Sequence, residues 1–339
     1  MAEQERLQST GRTGILVVRP GAVGDLVVAL PVFEALRKAF PHARLNAMAY
    51  PRLSGLLTDC SWEPSGGAYA HDCFAFSDSL FMPLFSEEVQ PGGGLRQALS
   101  GFSTAVVLNR DEDGIFRKRL TQLGIQSIWH TDADLAPNRH VCDELAESLP
   151  SNIRPSCAVP RLHALAEPAR RAERAIQELA LVESPVVIHP GSGGQIKCWP
   201  AGSFAELVGR LAVTLGQRIL VCCGPADERV LWRFRQKAEP GSYALLPPMQ
   251  LPELSALLGR ARGYVGSDSG VSHVSAAAGC PTLAIFGPTD PARWAPRGER
   301  VRIISGRTDA TDAAPDGGLS RLSVEEVTGV FLDFIGLRP

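Results

Sequence analysis

The chain has 339 residues, 45% of them hydrophobic, so it can bury a large core and is long enough for two domains. Its formal charge of −2 gives no electrostatic reason to expect a nucleic-acid partner. The first residues carry charge where a secretory signal would be apolar, and no apolar run reaches the ~20 residues that span a bilayer. These features predict a cytoplasmic protein that is at most peripheral to a membrane.

The 8 cysteines include no CxxC pair and none at metal-ligand spacing from a histidine. We interpret them as reduced thiols of a cytosolic protein. The sequence contains no convincing metal cluster, and we expect neither a catalytic metal nor another cofactor.

The first half of the chain has the pattern of an α/β domain. A turn at 20–25, PGAVGD, leads into a helix that helical spacing of apolar residues predicts over 26–40, with a kink at Pro31. Uninterrupted or nearly uninterrupted apolar runs predict strands at 15–19, 43–50 and 104–109. The stretch 60–101 contains PSGG and PGGG breaks and gives no clear elements.

A domain boundary is predicted within 150–185, where a proline-bearing connector precedes a charged helix at 164–180. Beyond it, the runs PVVIHP, QRILVCCG, RGYVGS and PTLAIFG are each followed by a loop and a helical stretch, which is typical of a parallel sheet. Ser323 and Glu326 form a capping box for a terminal helix. The predicted divisions are 1–155, a linker and helix at 156–184, 185–318, and a terminal helix at 319–339.

Three loops in the second half are typical of phosphate binding. They are HPGSGGQIKCWP at 189–200, CCGPADE at 222–228 and VGSDSGVSHVSAAAG at 265–279. Each lies where a predicted strand ends and a helix begins, which is where a doubly wound α/β sheet binds its ligand. Their co-occurrence at successive strand ends predicts a nucleotide-sugar pocket.

In the first loop, Gly191, Gly193 and Gly194 leave backbone amides free, and Lys197 supplies a mobile positive charge. This combination suits a pyrophosphate, because a leaving diphosphate needs fixed donors and a cation. The spacing is not that of a Walker loop. Taken alone, such a motif is more commonly a glycine-rich turn with a surface lysine.

The other two loops add polar groups. The amides of Ser269 and Gly270 open a helix and can point at a phosphate or sugar oxygen, with His273 one turn further on the same side. Glu228 has the length to accept hydrogen bonds from ribose hydroxyls. Each residue also has a structural explanation: Asp268 as a helix cap, His273 as a satisfied buried histidine, and Glu228 as an acid in a first helical turn.

The turn before the first helix contains a candidate general base. Gly21 and Gly24 allow a sharp turn and leave room for a ligand, and Asp25 lies at the cleft end of the first strand. Asp25 could instead merely cap the helix. The amino end of a helix favours the ionised carboxylate, which can accept a proton but is a weak base unless its surroundings are dry.

Taken together, RPGAVGDLVVALPVFEALRKAFPHARL, HPGS…KCWP…FAEL and GSDSGVSHVSAAAGCPTLAIFGPTDP resemble glycosyltransferase family 9, the bacterial ADP-heptose:lipopolysaccharide heptosyltransferases. The resemblance extends roughly from Ile15 to Pro296. It implies a GT-B fold, in which two Rossmann-like doubly wound domains face a central cleft. In that fold the first domain binds the acceptor, the second binds the nucleotide sugar, and a terminal helix packs back on the first.

The resemblance also implies roles for individual residues. Asp25 matches the proposed catalytic base, which deprotonates an acceptor hydroxyl for inverting attack on the anomeric carbon. Lys197 matches the lysine on the donor phosphates, with Gly191 and Ser192 in the loop beside them, and Glu228 matches the acid near the donor ribose. The segment that holds the diphosphate and sugar is matched by Asp268, Ser269, Gly270 and His273. No catalytic metal is implied.

Two departures from the family pattern concern charge. Cys198 stands where the family often has arginine, so one cation is missing. On the acceptor side, Arg110 and Arg117 are available, but the run Asp111-Glu112-Asp113 would oppose a phosphorylated acceptor, and these residues could simply be a solvated surface. The implied acceptor is a lipid-anchored glycan of the lipopolysaccharide core at the inner face of the cytoplasmic membrane.

Three alternatives remain to be distinguished. A nucleotide-sugar epimerase of the same architecture would bind a similar donor without an acceptor. A non-catalytic nucleotide- or glycan-binding protein would keep the fold without turnover. A dehydrogenase that uses NAD is disfavoured, because PGAVGD lacks the glycine spacing of G-x-G-x-x-G after the first strand.

Overall fold

The computed structural model describes residues 14–131, 139–179, 184–306, 314 and 316–337. The chain divides into two compact units after Pro160, a few residues beyond the predicted end of the first domain at 155. Each unit contains its own parallel sheet.

The sheet of the first unit has the strand order β4-β2-β1-β5-β6, and its neighbouring strands are parallel. The strands in this unit are β1 Gly14–Val18, β2 Leu45–Ala49, β3 Cys60–Ser61, β4 Asp72–Ala75, β5 Phe102–Val107 and β6 Ser127–His130. The strands predicted at 15–19, 43–50 and 104–109 correspond to β1, β2 and β5. All five residues of β1 are buried, as the apolar run predicts for a central parallel strand.

Helices connect these strands and cover the sheet. They are α1 Val23–Val27, α2 Leu30–Ala39, α3 Gly55–Thr58, α4 Gly93–Leu99, α5 Ile115–Gln122 and α6 Val141–Ala146, with 3₁₀ turns at Pro51–Leu53 and Ser79–Phe85. On one side of the sheet, Leu16 and Val107 pack with Leu99, Phe116 and Leu120 in a buried cluster.

Pro31 divides the helix that the sequence predicts as one kinked element. The structure has two helices, with α1 ending at Val27 and α2 beginning at Leu30. Proline has no N–H to donate to the carbonyl four residues earlier, so it is tolerated in the first turn of α2 and interrupts the path from α1.

The second unit has the strand order β10-β9-β8-β11-β12-β13, again with parallel neighbours. Its strands are β7 His163–Ala164, β8 Val186–His189, β9 Ile219–Val221, β10 Tyr243–Leu245, β11 Gly263–Ser267, β12 Thr282–Phe286 and β13 Val301–Ser305. The four predicted strands correspond to β8, β9, β11 and β12. The sequence analysis did not predict β10 and β13, which are the two edge strands.

The helices of the second unit alternate with these strands, as a doubly wound sheet requires. They are α7 Ala166–Glu178, α8 Ala201–Leu215, α9 Glu228–Arg235, α10 Leu251–Gly259, α11 Gly270–Ala277, α12 Pro291–Trp294 and α13 Val324–Phe334, with 3₁₀ turns at Gln195–Lys197, Pro225–Asp227 and Leu319–Arg321.

The terminal helix α13 begins at the predicted cap, where the Ser323 hydroxyl accepts a hydrogen bond from the Glu326 amide. Its apolar face belongs to the core of the second unit, since Val327 and Phe331 are fully buried with Phe204 of α8. The structure thus shows this face of the helix within the second unit, and the packing of the helix on the first domain stays a prediction. Each such buried side chain contributes about 1.5–3 kcal/mol to stability.

Candidate functional site

The strand order of the second unit reverses direction between β8 and β11, and the carboxyl ends of these strands lead into the first and third predicted loops. Such a switch point is where open α/β sheets bind ligands. The Ser192 hydroxyl donates to the carbonyl oxygen of Asp268 at 2.5 Å. The Lys197 ammonium lies 2.9 Å from a carboxylate oxygen of Asp268. The structure therefore brings together Ser192, Lys197 and Asp268, which come from two separate motifs.

This ion pair is asymmetric in its exposure. The Asp268 side chain is 8% exposed, whereas the Lys197 side chain is 37% exposed. The exposed ammonium, on a flexible stem, can therefore also reach an anion in solution. The pair thus places the positive charge of Lys197 at the amino end of α11, where backbone amides and the helix dipole also favour an anion.

The amino end of α11 is organised by serine hydroxyls. Ser269 is the capping residue, and its hydroxyl lies 3.4 Å from the Ser272 amide, which donates to it. The Ser272 hydroxyl donates to the Ser267 carbonyl at 2.7 Å. Gly270 is the first helical residue, and His273 is buried one turn along. The predicted residues of this loop thus lie together at one helix end.

In the second loop, the acid with buried contacts is Asp227 and not the predicted Glu228. Glu228 is exposed at the first position of α9, whereas the neighbouring Asp227 is buried. The Asp227 carboxylate lies 3.0 Å from Nε2 of His189 and accepts a hydrogen bond from the Gly224 amide at 2.7 Å. Burial opposes ionisation, but the hydrogen-bonding and electrostatic interactions with His189 and the hydrogen bond from the Gly224 amide outweigh it and lower the pKa of Asp227. Neither His189 nor Asp227 was predicted as a site residue.

Gly191 is needed because the backbone passes directly against this carboxylate. A Cβ atom at position 191 would collide with Asp227, whereas one at Gly193 in the same loop would meet nothing within 4 Å. We expect Gly191→Ala to lower the free energy of unfolding by about 1–3 kcal/mol, because the buried carboxylate is held in place and cannot yield. Urea denaturation measures this difference. Gly193→Ala is the matched control, and an equal effect of both changes would contradict the close approach.

The end of the first loop is anchored by a buried tryptophan. The Trp199 amide donates to the Ser267 hydroxyl at 3.2 Å, and its indole N–H donates to the Leu322 carbonyl at 3.3 Å. Beside it, burial is the main reason that the pKa of the Cys198 thiol is raised, with a further contribution from the charge of Asp227. Cys198 therefore supplies no charge at neutral pH where the family often has a cation.

In the first unit, Arg19 and Asp25 lie together at the corresponding switch point, between β1 and β5. The buried Arg19 guanidinium donates to the Leu108 carbonyl at 2.5 Å and the Asp25 carbonyl at 2.9 Å, and it lies 3.4 Å from Oδ1 of Asp25. The other carboxylate oxygen of Asp25 accepts from the Ala22 amide at 2.8 Å. Burial lowers the pKa of Arg19, although the charge of Asp25 opposes that shift. The sequence analysis did not single out Arg19.

The two glycines of this turn have different functions. Gly21 has a φ of 141°, and a Cβ atom there would approach the Asp25 carboxyl group to 2.7–2.9 Å. Glycine is thus required at position 21 both by the backbone and by the carboxylate. Gly24 lies inside α1 and makes no turn. Asp25 is the third residue of α1 and closes its first turn by accepting from the Ala22 amide, and with 31% of its side chain exposed it is also open to a ligand.

The predicted acceptor-side arginines have different environments. Arg117 donates to the buried Asp111 carboxylate at 2.8 Å, and the same carboxylate accepts from the amides of Phe116 and Arg117. Burial raises the pKa of Asp111, but these hydrogen bonds reverse the effect and hold it below its usual value. Arg110 is 67% exposed beside Glu112. Asp111 is therefore a structural anchor for α5 and is already neutralised by Arg117.

Arg110 lines a cavity of about 370 Å³ within the first unit, at the carboxyl end of β5. Its other walls include Asn109, Phe85 and Phe116, so polar and aromatic surfaces face one another. Polar hydroxyls and flat apolar faces of a sugar would fit such a lining.

Residues 158–315 match the family model described as glycosyltransferase family 9 (heptosyltransferase). This stretch of the chain is similar to glycosyltransferase family 9. All of the predicted donor-side residues, from Gly191 to His273, fall within these matched residues. Asp25, Arg110 and Arg117 lie outside them.

Two named relatives agree with this match. Lipopolysaccharide heptosyltransferase 3 of Escherichia coli is 30% identical over 131 residues, and the match covers 38% of each protein, so this chain spans well under half of that relative's length. Lipooligosaccharide heptosyltransferase 2 of Haemophilus influenzae is 24% identical over 317 residues, which covers 86% of this chain and 88% of the relative.

The solved structure of the E. coli ADP-heptose lipopolysaccharide heptosyltransferase II is 19% identical and has a TM-score of 0.73, covering 95% of this chain and 98% of that one. Together with the two parallel doubly wound sheets, this likeness confirms the predicted GT-B fold class with two Rossmann-like domains. Among the described residues, no group of three histidine, cysteine or acidic side chains is placed to hold a metal ion. No helix in the part of the chain that the structure describes is long and apolar enough to cross a bilayer.

Proposed function

We propose that this protein is an inverting glycosyltransferase that transfers heptose from ADP-heptose to a lipopolysaccharide-core or related glycan. The observation that carries the proposal is the ion pair of Lys197 and Asp268 at the amino end of α11, at the switch point of the second sheet. The names of the relatives supply the donor and the class of acceptor: they are lipopolysaccharide and lipooligosaccharide heptosyltransferases, and one structure is of an ADP-heptose enzyme.

In the proposed mechanism, the second unit binds the donor. The diphosphate takes the place of the Asp268 carboxylate on the exposed Lys197 ammonium, and the amides of Ser269 and Gly270 donate to its oxygens. Negative charge grows on the diphosphate as the bond from the anomeric carbon to the phosphate oxygen breaks. A cation and fixed amide dipoles stabilise that charge most in the transition state. Glu228, on the first turn of α9, is exposed and free to reach ribose hydroxyls.

The first unit supplies the base in this proposal. The proton of an acceptor hydroxyl passes to the Asp25 carboxylate, while the acceptor oxygen bonds to the anomeric carbon and ADP leaves with the electron pair. The Arg19 guanidinium and the Ala22 amide hold the carboxylate in one orientation. General base catalysis requires a carboxylate that is positioned, ionised and reachable, and Asp25 is partly exposed.

For the acceptor, the proposal assigns Arg110 rather than Arg117. Arg110 is exposed and lines the cavity at the end of β5, whereas Arg117 is already bonded to Asp111. A lipid-anchored glycan would bring the protein to the inner face of the cytoplasmic membrane as a peripheral enzyme.

The proposal requires no metal ion, because Lys197 and the amino end of α11 provide the positive charge for the diphosphate. Dialysis against EDTA is therefore expected to leave the transfer rate within about twofold of the untreated rate. A large loss that added Mg²⁺ restores would contradict this part of the mechanism.

The experiment that tests the proposed function is calorimetric titration of the purified protein with ADP, UDP, GDP and NAD, followed by incubation with ADP-heptose. Selective binding of ADP and transfer of heptose to a core glycan support the proposal. Preference for UDP or GDP would overturn the donor assignment. An isomerised donor formed without acceptor would identify an epimerase, and absence of nucleotide binding would identify a non-catalytic protein.

A further inference from the structure

A continuous chain of buried hydrogen bonds joins the three loops of the second unit. At its centre is His189, the last residue of β8, which is 3% exposed. Its Nε2 atom lies 3.0 Å from Asp227 in the loop after β9, and its Nδ1 atom lies 3.1 Å from the hydroxyl of Ser269 in the loop after β11. Both ring nitrogens are thus used within the protein, so His189 has no atom left for a substrate.

The neighbours of the ring determine the direction of each hydrogen bond. The Asp227 carboxylate is an acceptor, so the histidine Nε2–H donates to it. In the neutral ring, Nδ1 then accepts from the Ser269 hydroxyl, which leaves the serine oxygen free to accept from the Ser272 amide. Every donor in this chain has an acceptor when His189 is neutral and carries its proton on Nε2. The proton on Nε2 is assigned from these hydrogen-bond partners.

The series of hydrogen bonds around His189 ends at groups that the proposed function uses. Ser269 caps α11, and it follows Asp268, which pairs with Lys197. At the other end, Asp227 precedes Glu228 and presses against Gly191 of the first loop. A rotation of the imidazole would therefore shift the phosphate-binding helix end and the ribose-side loop together.

We propose that His189 is a positioning residue that holds the phosphate-binding and ribose-binding loops in one fixed arrangement through Ser269 and Asp227. This inference rests on the proposed function, because it concerns the affinity of the site for a nucleoside diphosphate. Preorganised donors bind without a cost of ordering at the moment of binding, so loosening either end of the chain weakens binding even when the fold survives.

Two variants test the two ends separately. The terminal amide of glutamine reaches the position of Nε2, so His189→Gln keeps the bond to Asp227 and loses the bond to Ser269. The shorter asparagine reaches the position of Nδ1, so His189→Asn keeps Ser269 and loses Asp227. We expect His189→Gln to raise the dissociation constant for ADP about tenfold, the equivalent of one net hydrogen bond.

A role confined to stability would lower the melting temperature of the variants and leave the dissociation constant of the folded protein unchanged, and that result would overturn the inference. A double-mutant cycle makes the test sharper. Because His189→Gln already breaks the contact with Ser269, the combination with Ser269→Ala should weaken ADP binding by less than the product of the two single effects. Effects that multiply fully would show that the two residues act independently.

The protonation state provides a third readout that does not depend on binding. The ¹⁵N chemical shifts of the His189 ring are expected to show a proton on Nε2. A proton on Nδ1 would contradict the hydrogen-bond chain.

If the unaltered protein binds no nucleotide, the proposed function fails. If it binds ADP and both variants bind equally well, only the role of His189 fails.

Discussion

Asp25→Asn is expected to lower the rate of sugar transfer by about 10²–10⁴-fold while the affinity for ADP stays within about twofold. Asparagine keeps the size of the side chain, and its single carbonyl oxygen can still accept from either Arg19 or the Ala22 amide, which donate to different carboxylate oxygens in the native protein. It cannot take a proton from the acceptor. Steady-state transfer assays and ADP calorimetry on the same preparation measure the two quantities.

The control for this change addresses the simpler explanation, in which Asp25 is only a helix cap. Asp78 caps a 3₁₀ turn in the same unit, where its carboxylate accepts from the Leu80 amide at 2.9 Å. Asparagine is a good capping residue, so Asp78→Asn should leave transfer unchanged. Equal activity of Asp25→Asn and the native enzyme would remove Asp25 from the chemistry and leave it as a cap.

Lys197→Ala is expected to raise the dissociation constant for ADP about tenfold or more and to lower the rate constant of transfer by about 10²–10³-fold. The second effect is the larger one, because the ammonium charge is most needed when the diphosphate departs. A binding measurement combined with single-turnover kinetics separates the two effects.

Two companion variants make the interpretation of Lys197→Ala secure. Lys237→Ala removes an exposed lysine from the same unit and should change neither quantity. Lys197→Ala also leaves the buried Asp268 carboxylate without its cation, which is destabilising by itself. The double variant with Asp268→Asn removes both charges, so it separates the loss of the ammonium from the effect of an unpaired carboxylate. A rate for Lys197→Ala equal to the native rate would identify Lys197 as an ordinary surface residue.

The sequence was sufficient to locate the sheets and the loops at their ends. Central parallel strands such as β1 and β8 are buried on both faces and are therefore continuous apolar runs. The edge strands β10 and β13 each have only one buried residue, so the same signal is weak there and they were not predicted. Ligand-binding loops follow the carboxyl ends of such strands. Locating the central strands therefore also located the predicted donor loops.

Polar partners inside the site could not be predicted in the same way, because they come from distant parts of the sequence. His189 contacts Asp227 and Ser269, which are 38 and 80 residues away, and a histidine at a strand end gives no local sign of either contact. The Arg19 contact with Leu108 spans 89 residues. Their position in the sequence was nevertheless informative. Arg19 directly follows β1 and His189 ends β8, and each of these strands lies beside the switch point of its sheet.

The irregular stretch within 60–101 had no periodicity to predict from, and part of its order comes from one side chain. The buried Arg119 of α5 donates to the carbonyl oxygens of Ser86, Glu87 and Val89, at 2.7–3.2 Å. A guanidinium can satisfy several carbonyl groups at once, so a loop without secondary structure acquires a fixed path. The sequence of the loop itself carries no sign of this.

The position of α13 has a consequence for the order in which the chain acquires its structure during synthesis. Val327 and Phe331 complete the core under α8, and the carbonyl of Leu322 receives the indole N–H of Trp199, which ends the first loop. A ribosome releases residue 200 long before residue 331, so the nascent second unit exposes this part of its core until nearly all of the described chain has emerged. The first unit, whose sheet ends at β6, can fold earlier.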